Sequence, residues 1–132
     1  MVKNIFTISL FLVFCSCNNA SYSKAEDAQD AGREFIRASL DGNYQKALFY
    51  LYRDSSDTNV MLLDKQKQNY NQLPEEVKVN YKEASIRALR VEPVNDSVVN
   101  YMYTNSYKPE DTTTIKIVRI NNEWLIDLKE IH

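Results

Sequence analysis

The chain is poor in the residues on which most small-protein chemistry rests. It has two cysteines, Cys15 and Cys17, and one histidine, the terminal His132. It has two glycines, Gly32 and Gly42, three prolines and one tryptophan. Each scarcity removes a class of function. Two glycines ten positions apart cannot form the glycine-rich cradle of a phosphate loop. A lone histidine at a chain end, where backbones fray, is a poor catalytic base and a poor metal ligand. That disfavours serine–histidine catalysis and histidine-ligated zinc. No concentration of one charge sign occurs, since 16 basic residues are interspersed with 18 acidic ones. Nucleic-acid binding needs concentrated positive charge, so nucleic acid is not an expected partner.

The beginning of the chain is informative. Lys3 supplies a positive start, and Ile5 to Phe14 is an apolar run broken by Thr7 and Ser9. Phe14-Cys15-Ser16-Cys17 follows, then Asn18-Asn19. A basic start, an apolar core of about ten residues and a small residue before the cut are the parts of a secretory signal. A membrane span needs about twenty apolar residues, so this run is too short for one. Cleavage before Cys17 leaves small Ser16 next to the cut, whereas cleavage before Cys15 would leave bulky Phe14 there. The box resembles that of bacterial lipoproteins, although Phe14 stands where leucine is commoner. The resemblance implies a diacylglyceryl thioether on Cys17 and an acylated amine, palmitate included. Two or more acyl chains give a stable membrane anchor. The alternatives are a plain secretory signal that leaves a free thiol and a retained apolar anchor. Without an acidic cluster directly after Cys17, the expected location is the bacterial cell envelope, on an outer membrane and facing the periplasm.

The expected organisation is a signal peptide over 1–16, a lipidated Cys17 with a polar tether to residue 24, and one domain over 25–132. Lys3 leaves with the signal, so 15 basic residues face 18 acidic ones, a net of −3. The domain then contains no thiol, hence no disulfide, no thiolate nucleophile and no cysteine-ligated metal. No cofactor and no metal are expected.

The first half of the domain has helical periodicity. Ser23 and Glu26 fit a capping box. Ala28, Ala31, Phe35, Ile36, Ala38 and Leu40 fall on one helical face. Asp41-Gly42 ends this helix, and Asn43 caps a second with Tyr44, Ala47, Leu48 and Leu51 at helical spacing. Thr58 is expected to cap a third, carrying Val60, Met61, Leu63 and Tyr70. Pro74 opens a fourth, with Glu75 and Glu76 favouring its dipole. From Ser85 the period becomes two. Leu89 and Val91 are expected on one face and Ile86 and Ala88 on the other. Val99, Tyr101 and Tyr103 alternate with polar residues, as do Ile115 and Ile117, then Trp124, Ile126 and Leu128. Asn121-Asn122 suits a two-residue hairpin, because asparagine tolerates positive φ. Helices followed by a four-strand meander give an α+β fold.

Two pieces carry a family resemblance. Val118-Arg119-Ile120-Asn121-Asn122-Glu123-Trp124-Leu125-Ile126-Asp127 is similar to the closing hairpin of the nuclear-transport-factor-2-like superfamily. Ala31-Gly32-Arg33-Glu34-Phe35-Ile36, continuing to Asp41-Gly42-Asn43-Tyr44-Gln45-Lys46-Ala47, resembles its first two helices. The resemblance covers roughly 24 to 130 and implies a cone of curled antiparallel sheet closed by helices. More narrowly, the chain resembles small bacterial lipoproteins of unknown function labelled as lumazine-binding domains. The superfamily contains isomerases, dehydratases and hydrolases beside non-catalytic binding domains, and fold alone does not choose among them. No aspartate of this chain matches a catalytic position.

Phe35, Tyr44, Phe49, Tyr101, Tyr103 and Trp124 are the candidate pocket for a small hydrophobic or aromatic ligand, or else simply core. Asp41, Asp54, Asp57 and Asp64 read as solvated loop and cap residues rather than a general base. Arg33 and Arg37 read as a solvent-facing stripe. Ser97 and Thr112, each following an aspartate at a strand end, are candidate glycosylation sites. The reading that follows is a membrane-anchored, non-catalytic binding domain for a small molecule or an envelope protein. The alternatives are an isomerase- or dehydratase-type enzyme using a buried Asp or Tyr, and a homodimer through a sheet face bearing outward Val118 and Ile120.

Overall fold

The computed structural model describes residues 21–129; Cys15, Cys17 and His132 lie outside them. Four helices precede four strands: α1 (Ala28–Asp41), α2 (Tyr44–Phe49), α3 (Thr58–Asn71) and α4 (Glu75–Glu83), then β1 (Ile86–Asn95), β2 (Val98–Asn105), β3 (Thr113–Ile120) and β4 (Glu123–Asp127). The strands form one antiparallel sheet in the order β1-β2-β3-β4. This is the α+β arrangement read from the change of period.

α1 lies over the inner face of the sheet and supplies much of the core. Ala28, Ala31, Phe35, Ile36, Ala38 and Leu40 are buried, as their spacing requires. They meet Tyr101, Ile115, Ile117 and Ile126 from the sheet. Burying a side chain such as Phe35 contributes roughly 2 kcal/mol. The helix starts differently from expectation. Its cap is Asp27, not Ser23: the Asp27 carboxylate accepts from Asp30 N at 2.8 Å. Asp30 in turn accepts from the N–H of Glu26, the residue before the cap, at 3.0 Å, so the helix start is fixed about one turn later than Ser23 would place it. Ser23 belongs instead to an extended strap over residues 21–26, so the tether expected up to residue 24 is docked on the domain over its last part.

Gly42 ends α1 in the left-handed region (φ 68°), and Asn43 N returns to Ala38 O at 2.8 Å. The Tyr70 ring lies so close that a Cβ at Gly42 would run into it. Asn43 then caps α2 by accepting from Lys46 N at 3.1 Å. Arg37 is not a solvent-facing charge. Its guanidinium donates to Ala84 O (2.7 Å), Lys82 O (3.0 Å) and Tyr81 O (3.2 Å) while pairing with Asp41 (2.9 Å). It thereby satisfies carbonyls at the end of α4, where a cation also favours the helix dipole.

Two strand details escaped the alternation. Leu89 has no partner between the pairs Ala88↔Tyr103 and Arg90↔Met102. This bulge inverts the phase of β1, so Ile86 and Val91 both pack on the core and Leu89 is 51% exposed. Val118 lies on the face opposite Ile117, as expected, but is covered there, flanked in register by Val98 and Leu125. The hairpin at Asn121 (φ 50°) and Asn122 (φ 62°) forms as expected.

The free edge of β4 is covered. Tyr52 N donates to Ile126 O and Ile126 N to Tyr50 O, both at 2.8 Å, so residues 50–52 run parallel beside it. Immediately after, a buried polar clasp joins α3 to the end of the sheet. Asn59 has no exposed surface. Its amide donates to Tyr52 O (2.9 Å) and Asp127 Oδ1 (3.1 Å), and its Oδ1 accepts from Leu128 N (2.8 Å). Asp54, expected to be solvated, is buried in the same clasp. It accepts from Ser56 Oγ (2.6 Å), Asn59 N (3.1 Å) and Lys129 Nζ (3.3 Å). Asp54 thus performs the capping expected of Thr58, and the flanking residue Asp57 is left-handed (φ 56°).

Two outcomes follow from the clasp. Asn59→Ala orphans a carbonyl, an N–H and a carboxylate, and is expected to lower stability by about 3 kcal/mol in urea unfolding. A loss below about 0.5 kcal/mol, the range of an ordinary surface site, would contradict the clasp. The second outcome concerns pH. The Ser56 hydroxyl, then the Asn59 N–H and the Lys129 ammonium, hold the Asp54 carboxyl well below the usual carboxylate range, against the opposing effect of burial. A depressed carboxylate stabilises the fold above its unfolded value of 3.8, and the contribution fades as pH falls below it. The stability gap between wild type and Asp54→Asn should therefore be larger at neutral pH than at about pH 3. An unchanged gap would mean that the charge of Asp54 is not what holds the clasp.

Candidate functional site

The inside of the fold is closed by aromatic and aliphatic packing. Gly32 faces the sheet, and a Cβ there would stand 3.0 Å from Ile117 Cδ1 and 3.6 Å from the Tyr101 ring. The missing side chain lets α1 descend onto Tyr101, which is 1% exposed. Phe35 fills the space beside it at 3%. Desolvation raises the Tyr101 hydroxyl above its ordinary pKa, against the smaller opposing pull of Arg33. Tyr103, 6.3 Å from Tyr101 between ring centroids, is half-buried and likewise raised by desolvation. Trp124 is half-buried, with the Arg119 guanidinium 5.7 Å from its ring centroid. The buried carboxylates Asp54 and Asp127 are engaged in the clasp and do not point into an open space.

Of the six aromatics singled out from the sequence, Phe35 and Tyr101 lie in the core, Tyr44, Tyr103 and Trp124 pack against it, and Phe49 stands apart, so they do not line one pocket. Tyr101 and Tyr103 are neighbours, while Phe35 and Tyr101 are core. Phe49 lies on the surface, 37% exposed, packed on Tyr22 and Tyr50. Tyr44 lines an opening.

That opening is an apolar crevice of about 50 Å³ between α1, α2 and α3. Ala38, Ala47 and Leu63 form its floor, and the rings of Tyr44 and Tyr70 form its walls. Lys67 Nζ stands over Tyr44, 4.5 Å from the ring centroid, and Asn43, Gln66 and Asn71 lie at the rim. Tyr70 donates to Leu40 O at 3.3 Å. Desolvation, then the Asp41 and Glu75 charges, push its hydroxyl above the ordinary value, so it is a neutral donor at physiological pH. The volume suits one side-chain-sized group rather than a whole cofactor. The sequence pointed to Tyr44 here. Tyr70 was legible only as a helical-face residue, because its neighbour Gly42 lies far off in the chain, in the turn between α1 and α2.

A second, more polar concavity of about 300 Å³ lies between the strap and α1 and α2. Tyr50 donates to Ser23 O at 2.7 Å and fixes the strap. Lys46 pairs with Glu34 at 2.6 Å, and Glu26, Asp30 and Lys24 complete the lining. Burial, then Glu34, Asp30 and Tyr22, raise the Tyr50 hydroxyl. Its proton is thus retained for the Ser23 bond. Ser97, in the β1–β2 turn, and Thr112, before β3, are both exposed. Among the described residues no group of His, Cys, Asp and Glu is placed to hold a metal ion. Among the same residues no helix is long and apolar enough to cross a membrane.

No family profile matches the chain, and no curated protein matches it. Solved structures do. A Shewanella oneidensis protein of unknown function, described as nuclear-transport-factor-2-like, aligns with a TM-score of 0.52 at 10% identity, over 74% of this chain and 89% of that one. A Campylobacter jejuni protein, provisionally described as a nuclear-transport-factor-2-like transpeptidase, aligns with a TM-score of 0.51 at 12% identity, over 76% of this chain and 97% of that one. At these identities the likeness concerns the fold alone. The α1 helix laid across a curled four-strand meander is thus the nuclear-transport-factor-2-like fold.

Proposed function

We propose that the chain is a lipid-anchored protein of the bacterial cell envelope whose domain binds, without catalysis, at its surface. The observation that supports this most is the closed interior. Gly32 admits α1 onto Tyr101, and Phe35 and Ile117 occupy the space in which an enzyme of this fold would hold a substrate. The buried carboxylates, Asp54 and Asp127, are consumed by the clasp, which leaves no buried acid among the described residues free to act as a base. The Tyr44–Leu63–Tyr70 crevice is the binding feature. Its apolar floor, flanked by Lys67 and amides, suits an apolar or aromatic side chain of an envelope protein, or a ring of similar size on a small molecule. The anchor is Cys17, acylated after removal of residues 1–16, with the domain on the periplasmic side of an outer membrane. Ser97 and Thr112 present exposed hydroxyls to any glycosyl-transferring enzyme there.

Two measurements test this reading. The intact mass of protein extracted from membranes should equal residues 17–132 plus a diacylglyceryl group and an acyl chain. Cys17→Ser should release the protein into the soluble fraction. A free thiol at Cys17 would overturn the anchor. For the crevice, a photo-crosslinking residue in place of Lys67 should give a discrete adduct in cells, lost when Tyr44→Ala is added. An adduct that survives Tyr44→Ala, or none at all, would overturn the crevice as the binding feature.

A further inference from the structure

The strap and the position of Cys17 together fix which face of the domain meets the lipid. Residues 18–20 alone separate Cys17 from Ser21. Four Cα–Cα steps span at most about 14 Å even when fully extended. From Ser21 onward the chain is bound to the domain. Ser23 O accepts from Tyr50, the Tyr22 hydroxyl accepts from Asn43 Nδ2 at 3.4 Å, and Ala25 is buried. The domain therefore cannot swing on a long leash.

An exposed aromatic lies at the point where the strap is bound. Phe49 packs on Tyr22 (5.7 Å between centroids) and edge-on against Tyr50 (4.9 Å), and Lys24, exposed on the strap, lines the concavity together with Tyr22 and Tyr50. Aromatic rings and lysines are the side chains that settle at the boundary between headgroups and acyl chains. The acids of this region, Glu26, Asp30 and Glu34, line the same concavity as Tyr22 and Lys24, where Asp30 binds Glu26 N and Glu34 holds Lys46.

We propose that the face centred on Phe49, with Tyr22 and Lys24, is a membrane-contact surface that lies in the headgroup layer when Cys17 is anchored. This rests on the anchor reading above. It adds an orientation: the strap and α2 face the lipid.

The test supplies the anchor chemically. The mature chain, residues 17–132, carries one thiol, Cys17, which can be coupled to a maleimide phospholipid in vesicles of phosphatidylethanolamine and phosphatidylglycerol. With Trp124→Phe as background, a reporter is placed at Phe49→Trp or, as control, at Val79→Trp on α4, where the native valine is 47% exposed. Acyl-brominated lipid should quench the reporter at 49 several-fold more than the one at 79. Equal quenching at both positions overturns the proposal and leaves the face to a protein partner. Amide exchange of the otherwise unaltered mature chain gives a second reading that needs no tryptophan exchange. Coupling should slow exchange at 48–50 relative to the same protein in solution, and unchanged rates there overturn the proposal. Because the coupling is chemical, either result is independent of whether the cell acylates Cys17, which the mass measurement decides.

Discussion

The close contact of α1 with the sheet at Gly32 governs the rest of the structure. A side chain at that position would crowd the sheet, since its first atom would lie 3.0 Å from Ile117 Cδ1, which would have to shift, and in contact with the Tyr101 ring at 3.6 Å. Close packing of this kind leaves no room for water or ligand between the layers. The same descent brings Arg37 within reach of the carbonyls at the end of α4, and Phe35 and Ile36 into the core. Between α1 and the sheet the molecule is a solid support.

The support is stiffened at the opposite end by polar groups. Asn59, Asp54 and Asp127 are costly to bury, and each is compensated by hydrogen bonds within the clasp. The clasp ties the start of α3 to the last strand, so the chain segment between α2 and α3 is held while residues 50–52 cover the edge of β4. The remaining edge, β1, carries Arg87, Arg90, Glu92 and Pro93, with irregularities at Leu89 and Val94. Charges, proline and bulges are features that discourage pairing with a second sheet. Association through that edge is therefore opposed, which agrees with binding on the helical side.

What could be read from the sequence was what neighbours in the chain decide. The Asp41-Gly42-Asn43 junction and the Asn121-Asn122 hairpin depend on local backbone preferences, and both form where the residues indicate. The buried face of α1 follows from its spacing alone. Features set by distant partners were not legible. Asp54 resembles a loop aspartate until Lys129, 75 positions away, is brought beside it. Arg37 resembles a surface charge until α4 arrives, 44 to 47 positions later. The bulge at Leu89 is a property of the pairing with β2, not of β1. Among the six aromatics, identity suggested a common pocket, but position along α1, α2 and the strands sent them to the core, the surface and the crevice. Tyr22 and Tyr50, which fix the strap, carry no periodic signal.

The central claim is that the interior is closed and that binding occurs outside it. Methyl-resolved NMR titration with indole tests this directly, because the two regions carry different methyl groups. Shifts at Ala38, Ala47 and Leu63, with Ile115 and Ile117 unmoved, are the predicted result. Saturable shifts at Ile115 and Ile117 would contradict it, by showing that the space between α1 and the sheet opens to a ligand.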